Sequence, residues 1–168
     1  MSSVDVTQLN LLIVEDNVHF RTLMRSILQA LGMTKLEEAQ DGIEAIEILE
    51  TQAPDLVIVD WKMEGMDGVE FVKQIRSLEG PNRFVPIVMV TGYTETSLRT
   101  KARDAGVSDF LGKPISPRSL LGRIVSVMED QHPFYESDDF FGPDRRRKNQ
   151  EFENADRRIK QTNPVKPS

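Results

Sequence analysis

The sequence predicts a doubly wound α/β domain, a parallel sheet with helices packed on both faces. Three observations carry that expectation. All-aliphatic runs recur along the chain, "LLIV" at residues 11–14, "LVIV" at 56–59 and "PIVMV" at 86–90. Segments with helical spacing separate them. Strands without polar alternation need cover on both faces, which parallel sheets receive from their crossover helices. The chain has 168 residues, 39% of them apolar, enough for one domain of ordinary size with some excess.

The elements follow in order. Residues 11–14 form the first strand. Phe20, Leu23, Met24, Ile27, Leu28 and Leu31 then recur at spacings of three and four, one face of a helix that Gly32 stops. Residues 35–40 ("KLEEAQ") read as a weaker strand, and 43–49 as a short helix. The third strand is 56–59. After the Asp67–Gly68 turn, Phe71, Val72, Ile75 and Leu78 mark the next helix. The fourth strand is 86–90. Residues 94–105 are helical but poorly amphipathic, and Gly106 closes them. Residues 108–112 form a short fifth strand. Ser116 as N-cap and Pro117 at the first helical position open the last helix, whose apolar side carries Leu120, Leu121, Ile124, Val125 and Met128.

Composition excludes several functions. With no cysteine there is no disulfide, thiolate nucleophile or cysteine zinc site. The formal net charge of −6 argues against a domain held by charge to nucleic acid or an acidic membrane. No apolar run is long enough for a transmembrane helix. The N-terminal "MSSVDVTQLN" lacks the order of a signal peptide, so a cytoplasmic location is expected. His19 and His132 read as surface residues.

Charge divides the chain. Residues 1–130 carry 13 Lys+Arg against 20 Asp+Glu, a net of −7, whereas 131–168 carry 8 against 7, a net of +1. The boundary is placed at Asp130, with 131–168 a charged, mostly disordered tail. The tail holds a repeat. Phe140, Asp144, Arg145, Arg146 and Lys148 return with the same spacing as Phe152, Asp156, Arg157, Arg158 and Lys160. It is too short for a usual DNA-binding output domain and reads as a docking or self-masking segment. Its basic cluster 145–148 and Phe140, Phe141 and Phe152 would supply the contacts. Residues 136–168 are expected to be mostly disordered without a partner, with a nascent helix at 149–160. Truncation after Asp130 is expected to leave folding intact.

The chemistry lies at the strand ends. Glu15 and Asp16 follow the first strand, Asp60 the third, Thr91 the fourth, and Lys113–Pro114 the fifth. In a parallel sheet these emerge at one edge, where ligands of this class bind. Three carboxylates together need a counter-charge, and Mg2+ fits because it takes one or two carboxylates and fills its shell with water or phosphate oxygens. A carboxylate beside such a cation and a lysine is set to attack phosphorus, giving an aspartyl phosphate.

The set Glu15–Asp16, Asp60, Thr91 and Lys113–Pro114, with the stretch "DWKMEGMDG", strongly resembles the receiver domains of two-component response regulators. The resemblance covers roughly residues 9–130 and implies a CheY-like, flavodoxin-type sheet in the order 2-1-3-4-5. It also implies a single-domain regulator with a C-terminal extension. Asp60 would be the phosphoacceptor. Asp16, Asp60 and the backbone carbonyl of Lys62 would hold Mg2+, with Glu15 acting through water. Thr91 would hydrogen-bond the phosphoryl group, Lys113 would pair with it, and Lys113–Pro114 would be cis. Thr91 and Phe110 would form the switch, and Lys62 and Tyr93 would set phosphoryl lifetime. A histidine kinase or phosphotransfer protein would be the donor, and an unnamed protein the downstream partner. Neither nucleic acid nor membrane would be bound.

Two positions depart from the family pattern. Glu64 stands where family loops usually carry proline, an exchange expected to loosen the loop without touching the chemistry. Phe110 replaces the commoner tyrosine and lacks its hydroxyl. Two rival readings are an aspartyl-phosphate-forming Mg2+ phosphohydrolase and a pseudo-receiver that binds partners without phosphorylation. The first would want an acid/base carboxylate where Lys62 stands. The intact acceptor, acid pair and lysine argue against the second. Neither a GxGxxG nor a GxxxxGK[ST] nucleotide motif occurs.

Overall fold

The computed structural model describes residues 4–92, 96–131, 133–138, 140–143 and 163–165. Five strands, β1 (Asn10–Val14), β2 (Lys35–Ala39), β3 (Leu56–Asp60), β4 (Ile87–Thr91) and β5 (Asp109–Gly112), form one sheet. All neighbours are parallel, in the order β2-β1-β3-β4-β5. Between them run α1 (Val18–Ala30), α2 (Gly42–Thr51), α3 (Gly68–Ser77) and α4 (Thr96–Ala105), and α5 (Pro117–Glu129) follows β5. Strand order reverses between β1 and β3, so the crevice beyond their carboxyl ends is the expected ligand site.

Side-chain alternation along each strand divides the core. Leu12, Val14, Val57, Val59, Ile87, Met89 and Phe110 pack with α2, α3 and α4. Leu11, Ile13, Leu56, Ile58, Val88, Val90 and Leu111 pack with α1 and α5. Every residue of β3 and β4 is buried. Side-chain caps turn strands into helices at the carboxyl edge. Asn17 Oδ1 accepts from the Phe20 N–H, Asp41 Oδ1 from Glu44, and Asp67 forms a capping box with Glu70.

At the opposite edge the chain continues after α5 into a hairpin. Strands β6 (Phe134–Ser137) and β7 (Phe140–Pro143) pair antiparallel, and β8 (Asn163–Val165) pairs with the other side of β6. At residues 136–138, 140–143 and 163–165 this differs from the expected disorder; the other residues of 136–168 lie outside the described residues. The physical reason is a matched docking surface on α3 and α4. Phe84, Phe134 and Phe141 form a ring cluster with centroids 5.3–5.5 Å apart. Arg76 of α3 is buried. Its Nε and Nη2 donate to the Gly106 carbonyl at 3.0 and 2.9 Å, and its Nη1 to Arg83 and Val85 carbonyls at 2.8 and 2.7 Å. The Phe134 ring covers the guanidinium at 4.9 Å. Burial lowers the Arg76 pKa to about 9, still charged at neutral pH.

Two glycines make this contact possible. Gly106 closes α4 at φ +109°, and a Cβ there would lie 2.9 Å from Arg76 Cγ. A Cβ on Gly142 would lie 2.9 Å from the Gly106 Cα. Backbone therefore meets backbone where β7 crosses the end of α4. The basic cluster 145–148, Phe152 and the helix expected at 149–160 lie outside the described residues.

Candidate functional site

The sheet register brings the polar strand ends level. Val14 pairs with Val59, Asp60 with Val90, and Thr91 with Gly112. Asp60 and Thr91 are thus the last residues of their strands, 5% and 3% exposed, at the floor of the crevice. Gly68, the first residue of α3, backs directly onto this floor. A Cβ there would approach the Asp60 carbonyl oxygen to 2.6 Å. Glycine at 68 is therefore required for α3 to begin so close behind Asp60.

The expected site residues largely converge. Glu15, Asp16 and Asp60 each place a carboxylate oxygen within 4.8 Å of the others. Lys113 Nζ lies 3.2 Å from Asp60 Oδ2, and the Lys113–Pro114 bond is cis. Lys62 is exposed on the loop after Asp60. Phe110 is buried on the α4 face of the sheet, with the Arg99 guanidinium 5.8 Å from its ring. Tyr93 lies outside the described residues.

The electrostatics favour a cation. Glu15 is 1% exposed. Its Oε1 accepts from the Asn17 N–H at 3.0 Å, while Oε2 is buried with no hydrogen-bond partner. Burial first, then the Asp60 carboxylate, push the Glu15 pKa up to about 8. A buried carboxylate oxygen facing other carboxylates is relieved by a proton or by a cation, and the oxygen-only donor set suits a hard divalent ion. Asp16 behaves oppositely. Burial raises its pKa, but the Glu64 N–H, at 3.1 Å from Oδ2, together with the Glu15 side chain outweighs that effect and holds it below the ordinary value. Two neighbouring carboxyls with opposite shifts can share one site, one ready to bind at neutral pH and one dependent on its neighbours.

The Glu64 contact corrects one expectation. A proline at 64 has no N–H, so the exchange to glutamate adds a donor that fixes Asp16. Sequence reasoning also missed Phe20 and Arg21 of α1. The Phe20 ring lies 4.4 Å from Lys113 Nζ. Arg21 Nη1 donates to the Glu15 carbonyl at 2.7 Å, and its Nε lies 3.8 Å from Glu38 Oε1. Both residues sit in the first turn of a helix that starts beside the acid pair. That position was the available signal.

Known proteins with this pattern are numerous. Residues 11–125 match the model of the response regulator receiver domain. The chain is 35% identical over 122 residues to the cyclic di-GMP phosphodiesterase response regulator RpfG of Xanthomonas campestris pv. campestris, covering 72% of this chain and 32% of that one. It is 33% identical over 123 residues to the phosphate regulon transcriptional regulatory protein PhoB of Escherichia coli, covering 73% and 53%. It therefore spans about a third of the first relative and half of the second. Among solved structures, chemotaxis protein CheY4 of Vibrio cholerae matches with a TM-score of 0.65 at 32% identity, over 69% of this chain and 95% of that one. The receiver domain of sensor histidine kinase PA1611 from Pseudomonas aeruginosa matches with a TM-score of 0.63 at 31% identity, over 70% and 94%. That structure has a magnesium ion coordinated in its active site cleft.

Proposed function

This chain belongs to the response regulator receiver domain family, and on that premise we propose that Asp60 accepts a phosphoryl group from a histidine kinase or phosphotransfer protein in a Mg2+-dependent reaction. One observation carries the reading. The nearly buried Asp60 carboxylate faces the Lys113 ammonium at 3.2 Å and shares its pocket with two further carboxylates.

Asp16 and Asp60 would hold the ion directly, with the Lys62 carbonyl, and Glu15 through water. Bound Mg2+ would neutralise charge on the oxygens of the transferring group. The Asp60 carboxylate attacks phosphorus, the phosphorus–nitrogen bond to the donor histidine breaks, and the electron pair stays on the imidazole. Lys113 follows the transferring charge, and the Thr91 hydroxyl donates to a phosphoryl oxygen. The added charge at Asp60, about −1.5 to −2, then draws Thr91 inward, and Phe110 turns into the space behind it. The surface of α4, β5 and α5 changes with it and presents the signal to a downstream protein. Lys62, in place of an acid/base carboxylate, favours an acceptor over a phosphohydrolase. The chain's own chemistry is then limited to accepting the group and losing it slowly. Nucleic acid plays no part in this reading, and among the described residues no helix is long and apolar enough to cross a membrane.

The test is labelling with acetyl phosphate and Mg2+. Wild type should be labelled, Asp60→Asn should not, and Asp16→Asn should lose tight Mg2+ binding. Full labelling of Asp60→Asn would overturn the assignment.

A further inference from the structure

Lys113 reaches the acid pocket on four methylenes, and its side chain is 34% exposed. Burial therefore does not fix its ammonium. Two contacts do. Asp60 Oδ2 stands on one side at 3.2 Å, and the Phe20 ring on another at 4.4 Å. The ring itself is well anchored. It is half-buried against the α1–α5 side of the core, and its backbone N–H donates to Asn17 Oδ1 at 3.0 Å. The Asn17 N–H in turn donates to Glu15 Oε1 at 3.0 Å. One short stretch of chain, residues 15–20, thus places both the acid pair and the ring.

From this geometry we infer that Phe20 is the positioning residue for Lys113, an inference that rests on the phosphoacceptor reading of Asp60. The face of an aromatic ring attracts an ammonium and replaces water on that side. Phe20 confines Nζ to the Asp60 side of the pocket. When a phosphoryl group arrives, the ammonium is already aimed at it, and little side-chain ordering remains. Leucine would fill much of the same space but has no ring face. Tyrosine keeps the face.

The test uses the full chain with acetyl phosphate and Mg2+. Phe20→Leu should phosphorylate about three- to tenfold more slowly, the size of one partly exposed cation–π contact. Phe20→Tyr should restore the rate. Both should bind Mg2+ like wild type, followed by fluorescence of the adjacent Trp61, because the ring offers no oxygen to the cation and the Glu15, Asp16 and Asp60 carboxylates are unchanged. In a Lys113→Ala background Phe20→Leu should add no further slowing, as a double-mutant cycle through one shared contact requires. The Lys113 methylene resonances should be shifted upfield by the ring in wild type and Phe20→Tyr, and return to ordinary positions in Phe20→Leu. An unchanged rate in Phe20→Leu would overturn the inference. So would equal slowing in leucine and tyrosine variants, or undiminished slowing without Lys113. A wild-type chain that takes no label would instead overturn the phosphoacceptor reading, and the methylene shift would still judge the contact.

Discussion

The two edges of the central sheet hold charge in opposite ways. At the carboxyl edge, three carboxylates share a pocket with one lysine, and a buried Glu15 oxygen lacks a hydrogen-bond partner. At the amino edge, the buried Arg76 makes four hydrogen bonds to three backbone carbonyls and is covered by the Phe134 ring. The first cluster is incomplete as protein alone and suits a cation and an incoming anion. In the second, carbonyls outside the hairpin satisfy Arg76, the hairpin covers it with Phe134, and the neighbouring Arg83, whose buried Nε has no hydrogen-bond partner, lies against the Phe141 ring at 3.7 Å. Carboxylates gathered around one lysine call for an ion, whereas guanidiniums held by carbonyls and aromatic rings join elements of the fold.

The contrast predicts that the amino edge governs stability. Truncation after Asp130 should lower unfolding free energy by about 3–5 kcal/mol, from the loss of Phe134 and Phe141 burial and the exposure of the Arg76 site. The expectation from sequence is that truncation after Asp130 leaves folding intact; the docked hairpin predicts a domain that folds with less stability. Urea unfolding checks it, and an unchanged midpoint would return the hairpin to the status of a loose appendage. Gly142→Val is a milder probe of the same surface. Its side chain would meet the Gly106 backbone, and a loss of about 1–3 kcal/mol is expected.

The carboxyl edge should show its incompleteness in pH dependence. The folded pKa of Glu15 is raised from 4.5 to about 8, so the folded state holds the proton more tightly than the unfolded state. Without Mg2+, the contribution of Glu15 to stability is full below about pH 4.5 and is lost as pH rises toward 8, by about 1–3 kcal/mol, whereas that of Asp16, with its lowered pKa, is lost only as pH falls below the ordinary carboxylate range. Glu15→Gln should flatten that slope and be the more stable protein at pH 7.5. Added Mg2+ should reverse the loss in wild type. Thermal melts at several pH values, with Mg2+ or a chelator, decide it, and a wild type that gains stability with pH in chelator would contradict the site.

The smallest effects are kinetic. Lys62 is exposed two residues after Asp60, and Tyr93 follows Thr91 by two. If they shield the acyl phosphate from water, Lys62→Asn and Tyr93→Ala should each lose label several-fold faster, with no change in unfolding. A chase after phosphoryl donor removal measures this, and unchanged rates in both would reject shielding.

The same contrast explains what the sequence made legible. The aliphatic runs in β1, β3 and β4 and the polar residues closing them lie in adjacent positions, so fold and acid pocket could be read locally. The strands run one residue further than those runs, to Asp60 and Thr91, because the ladder continues after hydrophobicity ends. The hairpin had no such local spelling. Its stability depends on Arg76, Gly106, Phe134 and Gly142 meeting from distant parts of the chain, and "FYESDDFFGP" shows no strand alternation. Phe20 was legible as a core residue of α1, while its role beside Lys113 appears only when β5 folds next to it.

The claim on which the rest depends is that this pocket forms an acyl phosphate at one residue. Borohydride reduction after reaction with acetyl phosphate and Mg2+ converts an aspartyl phosphate to homoserine, which peptide mass spectrometry can place. Homoserine is expected at position 60, dependent on Mg2+ and formed more slowly, at the same position, in Lys113→Ala. Homoserine at another aspartate, or none in a wild-type protein that nonetheless carries label, would contradict it.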